Sequence, residues 1–113
     1  MFKSFKGMVS AMDDSMKVIM NSLKDRDALR NSIILFSTDN GGAAGGISNN
    51  VASNWPLRGT KSTLWEGGVR GIAFIWSPLL KKSKRTSMNL MHITDWLPTF
   101  YYAAGIVCVF SIF

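Results

Sequence analysis

Only one cysteine, Cys108, and one histidine, His92, occur in the 113 residues. An internal disulfide is therefore excluded, and so is a metal site built from several thiolates and imidazoles. Cys108 sits in an apolar run, where an inert buried thiol is the expected reading. Acidic residues are also scarce: seven against thirteen lysines and arginines, a formal net charge of +6. The charged fraction of 18% is low for an independent soluble domain, while 47% of the chain is hydrophobic. That mismatch fits a piece of a larger fold in which strands are covered on both faces. The sequence has neither a Gly-x-Ser-x-Gly elbow nor a phosphate-binding P-loop.

A basic balance is compatible with nucleic acid, an anionic membrane or an anionic small substrate. The one dense run, Lys81-Lys82-Ser83-Lys84-Arg85, has no interleaved aromatic residue, so stacking on single strands is poorly supported and the run reads as a solvated loop. A basic nucleic-acid or membrane-surface protein would depend on those four charges; no nucleic-acid partner is expected. The N-terminal Met1–Lys6 stretch has basic residues but no unbroken apolar segment after them, so it does not read as a signal peptide. Trp96 to Phe113 is uncharged and nearly long enough to span a bilayer. Pro98 and Thr99 interrupt it and no basic flank follows, so a membrane span is not the expected reading.

Phe5, Met8, Val9, Met12, Met16, Ile19, Met20 and Leu23 recur at helical spacing, which predicts a helix from about Ser4 to Leu23 with Ser4 as its cap. The methionine stripe is expected to pack in a core. Ser32 to Ser37 predicts a short buried strand, Thr38 to Asn54 a long Gly/Asn/Ser-rich loop, and Val69 to Trp76 a second strand. Pro56 biases Trp55 toward an extended conformation. Thr94 or Asp95 is placed to cap a last helix, with Pro98 in its first turn. Helix, strand, long loop, strand and helix together predict an α/β sheet with ligand loops at its strand ends.

Four places could carry chemistry. Asp39 and Asn40 leave the first strand as a carboxylate and an amide, both oxygen donors that suit a hard divalent cation; the competing reading is an Asx-type turn. Two ligands fall short of the roughly six to eight oxygens that Ca²⁺ takes. Lys61 could hold an oxygen of a sulfate or phosphate as a point charge, or simply face solvent. Glu66 and Arg70 could pair across the Gly67-Gly68 turn, with Trp55 and Trp65 as pocket walls or as ordinary packing. His92, beside a helix start, reads as a capping or packing residue before it reads as an acid or base.

The combination of Ile34-Leu35-Phe36-Ser37-Thr38-Asp39-Asn40-Gly41-Gly42, Asn54-Trp55-Pro56-Leu57-Arg58-Gly59-Thr60-Lys61 and Trp65-Glu66-Gly67-Gly68-Val69-Arg70-Gly71 resembles the sulfatase family. The order of these segments, continued by Ser77-Pro78-Leu79-Leu80 and His92-Ile93-Thr94-Asp95-Trp96-Leu97-Pro98-Thr99, is most similar to the arylsulfatase B branch, the N-acetylgalactosamine-4-sulfatases. The resemblance covers about Gly7 to Gly105. It implies an alkaline-phosphatase-like α/β fold, here incomplete, and Ca²⁺-dependent hydrolysis of sulfate esters on sulfated glycans in lysosomes or in a secreted form. By resemblance, Asp39 and Asn40 match two calcium ligands and Lys61 a lysine that contacts the substrate sulfate, while Glu66 and Arg70 stay structural. The family's nucleophile is a formylglycine made from a cysteine in Cys-x-Pro-x-Arg. That motif is absent, so no catalytic residue is assigned. The upstream aspartate pair, histidines and first lysine have no counterpart either.

Residues 1–105 are thus expected to form part of a sulfatase catalytic domain and 106–113 a non-family apolar tail, in a chain that suggests a truncated gene model. The chain is expected not to turn over substrate alone, and the exposed edges of an incomplete sheet are expected to promote aggregation. The alternative is a non-catalytic module that binds Ca²⁺ or anionic glycans.

Overall fold

A helix of 24 residues opens the chain. This is α1, Phe2–Asp25. The structure, a computed structural model, describes residues 2–45 and 51–106; the expectations for Cys108 and for most of the 106–113 tail lie outside them. The chain divides into two compact units, Met1–Ser83 and Lys84–Phe113.

In the first unit, the apolar repeat of α1 produces the expected helix, which starts at Phe2 and so places Ser4 inside it rather than at its cap. A 3₁₀ turn at Leu29–Asn31 follows, with Ser32 Oγ donating to Ala28 O at 2.7 Å. Strand β1 is Ile34–Ser37. A one-turn helix, α2, occupies Glu66–Val69, and strand β2 is Ala73–Trp76. The second strand therefore starts four residues later than the apolar run suggests. Val69 belongs to a helical turn because the amides of Gly68, Val69 and Arg70 donate backward to Trp65 O, Trp65 O and Glu66 O.

β1 and β2 pair antiparallel, with Ile34 opposite Trp76 and Ser37 opposite Ala73. Phe36 and Phe74 face each other across the ladder and stack with centroids 5.5 Å apart, a cross-strand aromatic pair. Thr38 extends the pairing by one step. Its N–H donates to Ile72 O (2.9 Å) and its Oγ1 accepts from Ile72 N (2.8 Å). This exchange fixes the direction in which the chain leaves the sheet toward Asp39.

The methionine stripe does not enter a core. Met8 is 64% and Met12 47% exposed, and no hydrophobic side chain among the described residues is buried. Met16 and Met20 line an open cleft with Ile34, Phe74, Ile75 and Trp76 and are half-buried there. Helical spacing makes the face apolar, but this chain brings too few elements to cover it.

In the second unit, a 3₁₀ turn at Ile93–Asp95 leads into α3, Trp96–Ala103. His92 and Asp95 form a reciprocal capping box: the Asp95 carboxylate accepts from His92 N (2.8 Å), and His92 Nδ1 accepts from Thr94 N (3.4 Å). His92 is thus a cap, one of the two roles expected of it, and Asp95 stands at the N-cap position of α3 with its carboxylate engaged by His92 N rather than by an amide of α3. Pro98 lies in the first turn of α3, and the chain leaves the helix through Gly105 at φ 73°. No helix among the described residues is long and apolar enough to cross a membrane.

Candidate functional site

Gly42 is the hub of the loops beyond β1. Its N–H donates to Asn54 Oδ1 at 2.9 Å. Its carbonyl accepts from Asn54 Nδ2 (2.8 Å), Thr60 Oγ1 (3.1 Å) and Lys61 N (3.0 Å). Asn54 Nδ2 also donates to Gly59 O at 3.1 Å, and Thr60 Oγ1 to Ala44 O at 3.2 Å. One side-chain amide, used on both its oxygen and its nitrogen, therefore fastens the β1 exit to the 54–61 segment. The Trp55–Pro56 peptide within that segment is cis.

A second layer of contacts is made without side chains. Gly41 N donates to Gly68 O (2.9 Å) and Gly67 N to Arg58 O (2.7 Å). Gly41 and Gly67 are buried, and a Cβ on Gly41 would overlap the Gly67 carbonyl, while one on Gly67 would overlap the Gly59 carbonyl. The Asp-Asn-Gly-Gly and Glu-Gly-Gly-Val segments thus need glycine because their backbones lie against each other and against the turn at Gly59.

This arrangement places the three sequence-predicted residues on one loop cluster. Asp39 is exposed and Asn40 half-buried, directly ahead of Gly41 and Gly42. Lys61 is exposed, and its own amide is bonded to the Gly42 carbonyl, which seats its backbone against the Asp39–Gly42 turn. Asn40 Nδ2 donates to Gly41 O at 2.7 Å, which commits the amide nitrogen to its own turn and reserves the oxygen as the donor a cation would use. In kind, the two side chains suit a hard cation; in number, they do not complete its shell. No group of three or more His, Cys, Asp or Glu side chains that could hold a metal occurs among the described residues. Asp39 and Asn40 alone do not constitute a Ca²⁺ site.

Glu66 and Arg70 do meet, at 3.4 Å between Arg70 Nη1 and Glu66 Oε2, one helical turn apart and with both side chains more than half exposed. Such an exposed pair contributes about 0.2–1 kcal/mol. It belongs to the surface of α2, which suits the structural role expected of it. Trp55 is 87% exposed and walls nothing among the described residues. Trp65 instead supports Arg58, whose guanidinium carbon lies 3.7 Å from the ring centroid.

Two organisers of the cluster carry no separate signal in composition: Asn54 and Thr60. The pointer was position. Asn54 directly precedes the Trp55-Pro56 turn, and Thr60 lies between Gly59 and Lys61, where short polar side chains bond to nearby backbone.

The sulfatase family model matches residues 1–106. The chain belongs to the sulfatase family. It is 46% identical over 99 residues to arylsulfatase J of Mus musculus, covering 86% of this chain and 16% of that protein. It is 33% identical over 98 residues to N-acetylgalactosamine-6-sulfatase of Homo sapiens, covering 87% of this chain and 19% of that protein. A sulfatase of Formosa agariphila is 27% identical over 110 residues. The chain thus spans less than a fifth of the length of these curated relatives. No solved structure matches it. The α/β arrangement described above is that of part of a sulfatase domain, an alkaline-phosphatase-like fold. The relatives' names are spread over several sulfatases and do not single out the arylsulfatase B branch.

Proposed function

We propose that these residues are part of a sulfuric ester hydrolase acting on sulfated glycans, in which Lys61 contacts the substrate sulfate and Asp39 and Asn40 give two of the oxygens around a Ca²⁺ ion. The observation that carries the reading is the 3.0 Å hydrogen bond from Lys61 N to Gly42 O, which fixes the lysine to the turn that bears both oxygen donors. The Lys61 ammonium attracts a sulfate oxygen as a mobile point charge, and the rigid turn lowers the cost of positioning it. Asp39 contributes formal negative charge to a cation, and Asn40 a neutral oxygen held by its own bond to Gly41. When bound, the ion would act as a Lewis acid toward sulfate oxygens. Its remaining ligands would come from outside these residues.

The arylsulfatase B branch is our reading of the motif order, and a lysosomal or secreted setting follows from it. The chain alone does not turn over substrate on this reading, because Cys-x-Pro-x-Arg is absent and a covalent nucleophile accounts for many orders of magnitude in rate. Incubation of the purified chain with an aryl sulfate should give the rate of a buffer blank; hydrolysis above it would contradict this part.

The second reading, a non-catalytic module that binds Ca²⁺ or anionic glycan, is favoured by the loop cluster, whose hydrogen bonds are made among the described residues. Calorimetry separates the two readings. Measurable heat with both Ca²⁺ and a sulfated sugar, reduced by Asp39→Ala and Lys61→Ala respectively, supports a binding role for the isolated chain. No heat with either ligand removes it.

A further inference from the structure

Arg58 is the one arginine among the described residues that lies over an aromatic ring. Arg30 lies 2.8 Å from an Asp27 carboxylate oxygen and Arg70 3.4 Å from Glu66, whereas Arg58 has no carboxylate partner among the described residues. It is nevertheless held. Its guanidinium lies over the half-exposed ring of Trp65, and its carbonyl accepts from the buried Gly67 amide at 2.7 Å. The following Gly59, at φ 91°, turns the chain so that Lys61 arrives on the Gly42 carbonyl two residues later. Two cations without carboxylate partners therefore stand on one short turn, both anchored through their backbone. One is a point charge on a flexible stem; the other is a planar fork whose face is already stacked.

A stacked guanidinium keeps its edge donors available, and that edge matches the two oxygens of a carboxylate or a sulfate. Stacking also removes part of the rotamer freedom that an exposed arginine otherwise loses on binding. Leaving a cation on a fixed support with no acid beside it suits recognition of an anion brought by a ligand. We propose that Arg58, supported by Trp65, is a specificity-determining contact for a second oxyanion on the sugar, separate from the sulfate met by Lys61. The ligand class is a saccharide carrying two anionic groups, one sulfate ester and either a uronate carboxylate or another sulfate. This inference rests on the sulfate role proposed for Lys61, and its test keeps the two apart.

The experiment is a binding titration of the full 113-residue chain, followed through the Arg Nε–H and Trp indole N–H signals. The probes are inorganic sulfate, a monosulfated uronate disaccharide, the same disaccharide with its carboxyl reduced to an alcohol, and a disulfated neutral disaccharide. Arg58→Ala should weaken the uronate disaccharide about five- to tenfold while leaving inorganic sulfate unchanged. It should cost nothing further for the carboxyl-reduced sugar. Arg58→Lys, which keeps the charge and loses the fork, should fall between wild type and Arg58→Ala. A loss confined to the disulfated probe would identify the second oxyanion as sulfate; a loss confined to the uronate would identify it as carboxylate. Equal loss on all probes, or no loss on any, overturns the Arg58 assignment. Unchanged sulfate affinity in Lys61→Ala sinks the Lys61 reading by itself, whatever Arg58 does. A wild-type chain that binds none of the probes overturns both.

Discussion

At the exit of β1, three donors from the 54–61 segment converge on the Gly42 carbonyl, and Gly41, Gly67 and Gly68 are buried. Along α1 and β2 the pattern reverses: Val9, Met12, Ile19, Phe74 and Ile75 are large, apolar and exposed. The first region is held by hydrogen bonds among residues close to one another in the sequence. The second depends on apolar surfaces that need partners, and an isolated pair of strands is marginal without them. Backbone and side-chain hydrogen bonding can therefore assemble the candidate site in a chain that buries no apolar side chain among its described residues.

Substitutions that act on one region and spare the other test this contrast. The largest effect is expected from Gly41→Ala, whose Cβ would overlap the Gly67 carbonyl. Overpacking against backbone should cost about 3 kcal/mol locally, seen as loss of hydrogen-exchange protection at the Gly41, Gly42 and Lys61 amides, with α1 helicity unchanged. Next comes Asn54→Ala. It removes the bonds to Gly42 N, Gly42 O and Gly59 O, and should cost about 2–3 kcal/mol on the same amides. Asn54→Asp, which keeps an acceptor and loses the donor, should be intermediate; a full restoration would mean that the donor bonds are idle.

The opposite sign is expected in the other region. Gly7 lies in α1 with nothing within 4 Å of a Cβ placed on it. Gly7→Ala should raise helix stability by about 0.5–1 kcal/mol, read by circular dichroism on heating, and should leave the loop amides as they were. The smallest effect belongs to Glu66→Gln. It weakens an exposed pair and should change stability by about 0.5 kcal/mol or less, with no change in sulfate binding. A larger loss would give Glu66 a role beyond the surface of α2.

Elements governed by local chemistry were legible in the sequence, while the cover over them was not. The repeat from Phe5 to Leu23 located α1 to within two residues at either end. It could not tell that the methionines would lie open, because periodicity marks an apolar face and says nothing of what packs on it. Ile34–Ser37 is recognisable as a strand and β2 as an apolar run, but a β-branched Val69 shortly before that run gives no local sign of the four-residue helical turn it joins. Asp39, Asn40 and Lys61 stood out as residue types with a chemistry. Asn54, which connects them, did not, since its role depends on a contact with Gly42 twelve residues away. The sulfatase membership was legible from the order of several motifs, none of them decisive alone.

The most direct test is a titration of the chain with inorganic sulfate, read by amide chemical shifts. Perturbations centred on Gly41, Gly42 and Lys61, abolished in Lys61→Ala while Gly41 and Gly42 keep their exchange protection, are the result expected of an anion site seated on the glycine cluster. Shifts centred on Lys81, Lys82, Lys84 and Arg85, persisting in Lys61→Ala, would instead show that the chain's basic charge, and not the cluster beyond β1, meets the anion.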